Sequence, residues 1–182
     1  MTTSLFTVRE ATSSDIQLLA RHRASMFRDM GQLPTSGEGE LERATETYLR
    51  EAMPRGEYLA WIADCVGPSG AAIGGAGVQL RPILPRPRTT AGALELGPEA
   101  IVLNVYVEPG WRRQGVAEAL MQGVLAALAE RGISRIVLHA SDDGRRLYER
   151  LGFALTNEMQ LITPQAPAAE ARSVRQPCND NS

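Results

Sequence analysis

The 182-residue chain is poor in cysteine, histidine and aromatic residues, and each shortage removes a class of function. Its two cysteines, Cys65 and Cys178, stand far apart and in no metal-ligand spacing. Neither histidine, His22 or His139, lies near a cysteine in a ligand pattern, so no metal is expected. Cys65 falls in an apolar run and reads as a small core residue, whereas Cys178 lies in a polar tail. A disulfide is not expected, and a reducing cytoplasm is the expected compartment. No apolar run reaches the roughly eighteen residues of a membrane-spanning helix. Met1-Thr2-Thr3-Ser4-Leu5 lacks a basic region followed by an apolar stretch, so no secretory signal is expected. Nineteen basic and 21 acidic residues leave a net charge of −2, which argues against nucleic acid or a membrane surface as partner. There is no Gly-Lys-Ser/Thr for a nucleotide-hydrolase phosphate loop. Gly110 and Gly115 do not form the G-x-G-x-x-G of a dinucleotide dehydrogenase. No internal repeat is present.

The length suits one domain, placed at residues 1–162, with a sizeable core. Phe6 to Arg9 alternates as a short strand. Ser13-Ser14-Asp15 offers a helix N-cap, and Ile16, Leu19, Arg23, Met26, Phe27 and Met30 follow at helical spacing up to Gly31. Leu41, Ala44, Tyr48, Leu49 and Ala52 mark a second helix, stopped by Pro54. Tyr58 to Val66 and Ala71 to Leu80 read as strands around a turn at Gly67-Pro68-Ser69-Gly70. Arg81 to Pro87, with three prolines, is expected to stay outside the sheet.

Glu99 to Val107 is the expected central strand. Gly115 to Arg131 carries an apolar helical stripe of Val116, Ala119, Leu120, Gly123, Val124, Ala127 and Leu128. Arg135 to His139 is a further strand, and Asp142 or Asp143 would cap a short helix ending at Gly152. Phe153 to Ile162 is the expected last strand. Residues 163–182, rich in Ala, Pro and Ser without periodicity, are expected to be disordered. The element order is β-α-α-β-β-β-α-β-α-β.

The most informative stretch runs from Val105 to Ala117: strand, Pro109-Gly110 turn, then helix from Gly115. The first amides of a helix have no internal partner, and with the helix dipole they form an anion site. Gly115 has no Cβ to block a bulky anion, and Arg112 and Arg113 add positive charge. Such a cradle suits a phosphate or pyrophosphate.

Arg112-Arg113-Gln114-Gly115-Val116-Ala117 resembles the acyl-CoA-binding signature of the GNAT superfamily of N-acetyltransferases. About thirty residues later, Leu147-Tyr148-Glu149-Arg150-Leu151-Gly152-Phe153 resembles the second signature of that superfamily. The resemblance implies an α/β fold, of mixed α+β type: a central mixed, mostly antiparallel sheet flanked by helices. It implies an acetyl group passed from acetyl-CoA to an amine of a small molecule or peptide, by direct attack in a ternary complex. It also allows a homodimer.

Carried onto this chain, the resemblance gives Val105, Tyr106 and Val107 backbone groups that pair with the pantetheine arm like an added strand. It gives Arg112 to Ala117 (Arg112, Arg113, Gln114, Gly115, Val116, Ala117) the pyrophosphate. Tyr148 becomes the acid for the leaving thiolate, since a phenol titrates near 10 and stays protonated at neutral pH. Arg145, one helical turn away, is expected either to lower that value, to contact the coenzyme phosphates or to face water. The family commonly has Asn and Ala where this chain has Ser141 and Gly144, so Ser141 is the expected hydrogen-bond donor to pantetheine.

His139 is a candidate base for the attacking ammonium, because histidine titrates in the range such a step needs. Glu99, Glu108 or a water chain are the alternatives. Met26, Phe27 and Asn104 are the expected acceptor wall, and Glu38, Glu40 and Glu42 would attract a cationic amine. Met26 to Gly31, with Leu138 to Ser141, resembles a bacterial subset of the superfamily. A non-catalytic acyl-CoA-binding regulatory module on the same fold stays open as the competing function.

Overall fold

The computed structural model describes residues 5–67, 70–87 and 94–159. Five strands, β1 (Phe6–Glu10), β2 (Tyr58–Cys65), β3 (Ala72–Arg81), β6 (Glu99–Val107) and β7 (Ile136–Leu138), form one sheet in the order β1-β2-β3-β6-β7. Every neighbouring pair is antiparallel except β6 and β7, which run parallel and are joined through helix α3 (Val116–Glu130). Two further helices, α1 (Ile16–Asp29) and α2 (Glu38–Ala52), precede β2, and α4 (Asp142–Arg150) follows β7. A separate two-stranded ribbon of β4 (Arg86–Pro87) and β5 (Leu94–Glu95) lies outside the main sheet.

Strand alternation sends the side chains of β2 to opposite faces. Tyr58, Ala60 and Ile62 pack with Ile16, Leu19, Leu49 and Ala52 of α1 and α2. Trp61 and Ala63 join Val116, Leu120, Met121, Val124 and Leu128 of α3 on the other side. The sheet is thus covered on both faces, as the apolar stripes of the helices require. No helix among the described residues is long and apolar enough to cross a membrane.

Three local features depart from the sequence reading. The apolar–polar rhythm of β6 hides a bulge: Gly75 pairs with Tyr106 and Gly77 with Leu103, so Asn104 and Val105 face the single residue Ala76. Asn104 takes the left-handed conformation there, φ 56°. Second, Ser141 caps α4, its Oγ accepting the Gly144 amide at 3.3 Å, rather than Asp142 or Asp143, which fall inside the first turn. Third, 153–159 forms no strand. The remainder of that expected strand, and the tail at 163–182, lie outside the described residues.

β3 carries the run Gly74-Gly75-Ala76-Gly77, which weakens a strand unless something must come close. A Cβ at Gly77 would stand 1.8 Å from the Tyr58 hydroxyl, and one at Gly75 would stand 3.2 Å from Nδ1 of His22. The glycines make room for two side chains that crowd the face under α1.

Candidate active site

The site begins where two strands part. β6 and β7 are paired from Ala100↔Ile136 to Val102↔Leu138. β7 ends there, while β6 continues through the bulge to Val107. Among the described residues, the backbone of β6 beyond Val102 therefore has no strand partner on that side, which is the geometry an extended ligand needs to add itself as a strand. Val105, Tyr106 and Val107 lie along this stretch, and Ser141 and Tyr148 sit on α4 across the gap.

The turn after β6 has the backbone geometry of a cradle. Arg113 and Gly115 both hold positive φ, 60° and 83°, on either side of Gln114. Alternation of this kind aims successive amides into one concavity. Ala119 is the first amide of α3 to bond back, onto the Gly115 carbonyl at 3.0 Å, so the amides before it are the open ones of the helix start. A Cβ on Gly115 would meet nothing within 4 Å, so the approach to these amides is clear. Val116 is buried in the core, and Gln114 Nε2 donates to the Gly110 carbonyl at 2.9 Å. The Val116 side chain is thus withheld from a ligand, and the Gln114 amide braces the turn.

Arg112 does not stand free beside the cradle. It donates to the Val107 carbonyl at 3.0 Å, pairs with Asp29 at the end of α1, and lies over the Tyr106 ring at 5.7 Å. It ties the turn to α1. Arg113 is exposed and has no carboxylate partner among the described residues.

Tyr148 is half-buried, edge-on to Phe153 at 6.0 Å. Its ring rests against Gly144, where a Cβ would stand 2.9 Å from Cε2, so glycine in place of the more common alanine gives the ring room. Burial pushes the phenol up from 10. The expected lowering by Arg145 is not found, because desolvation is the controlling influence and Arg145 points to solvent. His139 follows β7 directly, exposed, with Nε2 3.7 Å from a Glu158 carboxylate oxygen.

Glu99 is no base. It is 1 % exposed and held between Arg81 and Arg135, with Arg81 Nε at 2.6 Å. Burial alone would push its carboxyl up, but the two guanidiniums outweigh that and hold it below its ordinary value. It also sits at the far end of β6 from the cradle, roughly 25 Å away at about 3.3 Å per residue. Glu38 pairs with Arg28 through Oε2 at 3.0 Å, while its Oε1 is buried with no hydrogen-bond partner among the described residues.

The sequence reading missed the polar group beneath α1. Arg23 Nη1 donates to Asn104 Oδ1 at 2.5 Å, and Asn104 Nδ2 donates to the Tyr58 hydroxyl at 2.8 Å. Asn104 is thereby pinned in its bulge conformation, and burial pushes the Tyr58 phenol up to about 12. Met26 and Phe27 lie on the same helix, both half-buried, and the Arg23 guanidinium covers the Phe27 ring at 4.8 Å. His22 packs against Tyr106 at 5.1 Å with neither ring nitrogen hydrogen-bonded, and Glu108 comes within 3.6 Å of Nε2. The signals for these residues were the glycine run of β3 and the position of His22 three residues after Leu19.

Residues 25–153 match the family model for the acetyltransferase (GNAT) family, and the chain belongs to that family. It is 29% identical over 128 residues to a glucosamine 6-phosphate N-acetyltransferase of Trypanosoma brucei brucei, covering 63% of this chain and 82% of that one. It is 31% identical over 147 residues to a chloroplastic serotonin N-acetyltransferase 2 of Oryza sativa subsp. japonica, covering 78% and 66%. Its fold superimposes on a GCN5-related N-acetyltransferase from Ralstonia eutropha JMP134 with a TM-score of 0.73 and 30% identity, covering 87% and 98%. A predicted acetyltransferase from Clostridium acetobutylicum, solved with acetyl-CoA, gives a TM-score of 0.70 and 27% identity over 87% and 96%.

Burial holds the His22 imidazole neutral, with its titration moved from 6.5 down to about 4 and a smaller push from Arg21. Between those values the unfolded chain binds a proton that the folded chain refuses, so stability falls as pH falls. The full loss is about 3 kcal/mol. Urea midpoints should drop between pH 6.5 and 4 in the wild type and stay flatter in His22→Gln. Equal slopes would show that other groups set the acid limb.

Proposed function

We propose that this chain transfers an acetyl group from acetyl-CoA to an amine of a small molecule or peptide, the amine attacking directly while both substrates are bound. The observation that carries this is the juxtaposition of an unpaired length of β6, at 103–107, with the amide cradle at the start of α3. An acyl-CoA has the matching pair of features: an extended arm with amides, and a pyrophosphate. Related N-acetyltransferases act, by their names, on acceptors as unlike as glucosamine 6-phosphate, serotonin and a ribosomal-protein alanine, which share only the amine.

The backbones of Val105, Tyr106 and Val107 pair with the arm, and the Ser141 hydroxyl, already accepting from Gly144, still has a proton to donate to it. The amides from Arg113 to Ala117 and the Arg113 side chain hold the pyrophosphate; Arg112 fixes the turn that presents them. Met26, Phe27 and Asn104 line the acceptor side. The departing thiolate takes its proton from Tyr148, whose hydroxyl has no hydrogen-bond partner among the described residues and is kept protonated by burial. His139 takes the ammonium proton and, being exposed, passes it to water. A purely binding module has no use for a proton donor so placed.

Gly115→Asp puts a negative charge in the open approach to the cradle. Acetyl-CoA affinity by calorimetry should fall at least tenfold, about 1.4 kcal/mol. Gly115→Asn, equally tolerant of positive φ, should lose less; equal losses would mean backbone strain and not charge is felt. Tyr148→Phe keeps the ring and removes the proton. Its kcat should fall by about 10² to 10⁴ while acetyl-CoA affinity holds; wild-type kcat would assign the proton to water. For His139→Ala, the acid limb of the pH–rate profile should vanish. A surviving limb would relieve His139 of the role.

A further inference from the structure

The chain has no lysine, so all 19 of its basic residues are arginines. Among the described residues, most guanidiniums meet a carboxylate, and those that do not are Arg21, Arg23, Arg43, Arg113, Arg145 and Arg146. Five of these six face solvent. Arg23 alone is half-buried. Withdrawing a charge from water without a counter-charge is costly, and such groups are otherwise paired.

Arg23 is also held rigidly. Asn104 Oδ1 receives Nη1 at 2.5 Å, and the Phe27 ring lies 4.8 Å beneath the guanidinium. Asn104 is fixed in turn by the buried Tyr58 hydroxyl at 2.8 Å, and Tyr58 fits only because residue 77 is glycine. A guanidinium has five N–H donors in a planar fork, and this support engages one of them. The remaining donors sit at the bulge, just past the point where β6 leaves β7. That is the place where, on the reading above, the thioester and the attacking amine meet.

We propose that Arg23 binds an acidic group, a carboxylate or a phosphate, carried by the acceptor, so that the acceptor is a small amine bearing an anion. The inference rests on the acyl-transfer reading for the identity of the second substrate. A forked guanidinium gives such a group two parallel hydrogen bonds and so fixes the distance from anion to amine. Arg23 touches substrate but moves no proton. Its work is selection, and it follows that removing the anion from the acceptor should cost KM more than kcat.

Two measurements decide it. In protein saturated with coenzyme A, which fills the cradle, the Arg23 Nε–H resonance is identified by its loss in Arg23→Lys. Titration with inorganic phosphate and, separately, with acetate should move that resonance saturably for one of the two, which names the anion. Turnover is then compared within matched pairs: glucosamine 6-phosphate against glucosamine, and β-alanine against its amide. The wild type should favour the anionic member of one pair at least tenfold in kcat/KM, mostly through KM. In Arg23→Gln that ratio should collapse towards one, and in Arg23→Lys part of it should return. If neither anion moves the resonance, or if Arg23→Gln leaves the ratio intact, the inference is overturned. Failure of coenzyme A to bind would count against the acyl-transfer reading instead, and the anion titrations on the protein alone would still decide the role of Arg23.

Discussion

Everything at this site depends on one extra residue in β6. The strand must pair with β3 on one side along its whole length, yet release β7 on the other side after three residue pairs. A bulge reconciles these demands, because two residues opposite one bend the strand and increase its twist. The cost is a non-glycine residue at positive φ, of order 1–3 kcal/mol. Asparagine is among the residues that tolerate that conformation best. Its side chain is then clamped on both sides, by Arg23 and by Tyr58. The polar network beneath α1 thus holds the bulge residue in place.

The other end of β6 needs the opposite. There Glu99 draws Arg81 from β3 and Arg135 from just before β7 onto one buried carboxylate. A buried charge that lost either partner would be strongly destabilising, so the three strands are held together at this end. Closed at Glu99 and open past Val102, the sheet has the shape of a wedge. The same glutamate that offered itself in the sequence as a base is the hinge pin of that wedge, and its chemistry is structural.

The periodic parts of the chain were legible. Glu99 to Val107 was placed to the residue and α3 to within one at each end, because a long apolar stripe and an unbroken apolar strand leave few alternatives. The turn and the helix start after β6 are legible too, from Pro-Gly and Gly115 in a short span. What escaped was tertiary. A bulge leaves no mark on alternation when the extra residue is a polar one that an edge position would also explain. Phe153 to Met159 alternates well enough to suggest a strand, yet alternation supplies no partner, and this stretch has none. His22 and Arg23 sit next to each other on α1, and in the sequence Arg23 reads only as a member of the helical stripe and His22 only as a histidine outside any ligand pattern. Their roles come from what lies opposite them, Tyr106 and Asn104, which helical periodicity says nothing about.

Helix α1 reaches both ends of this region, with His22 and Arg23 on one turn and Asp29 nearly two turns further on. His22 packs on Tyr106, Arg23 on Asn104, and Asp29 on Arg112 at the base of the cradle. The turn after β6 and the Asn104 bulge therefore share one element. Arg112 ties the turn to the C-terminal end of α1 through Asp29, and Arg23 stands against the bulge from its middle. Two ligands that bias the same helix are coupled, and the coupling is reciprocal. On the proposed reading, a coenzyme at the turn and an acceptor at the bulge would both bear on α1, which ties the two ends of β6 beyond Val102 to one element.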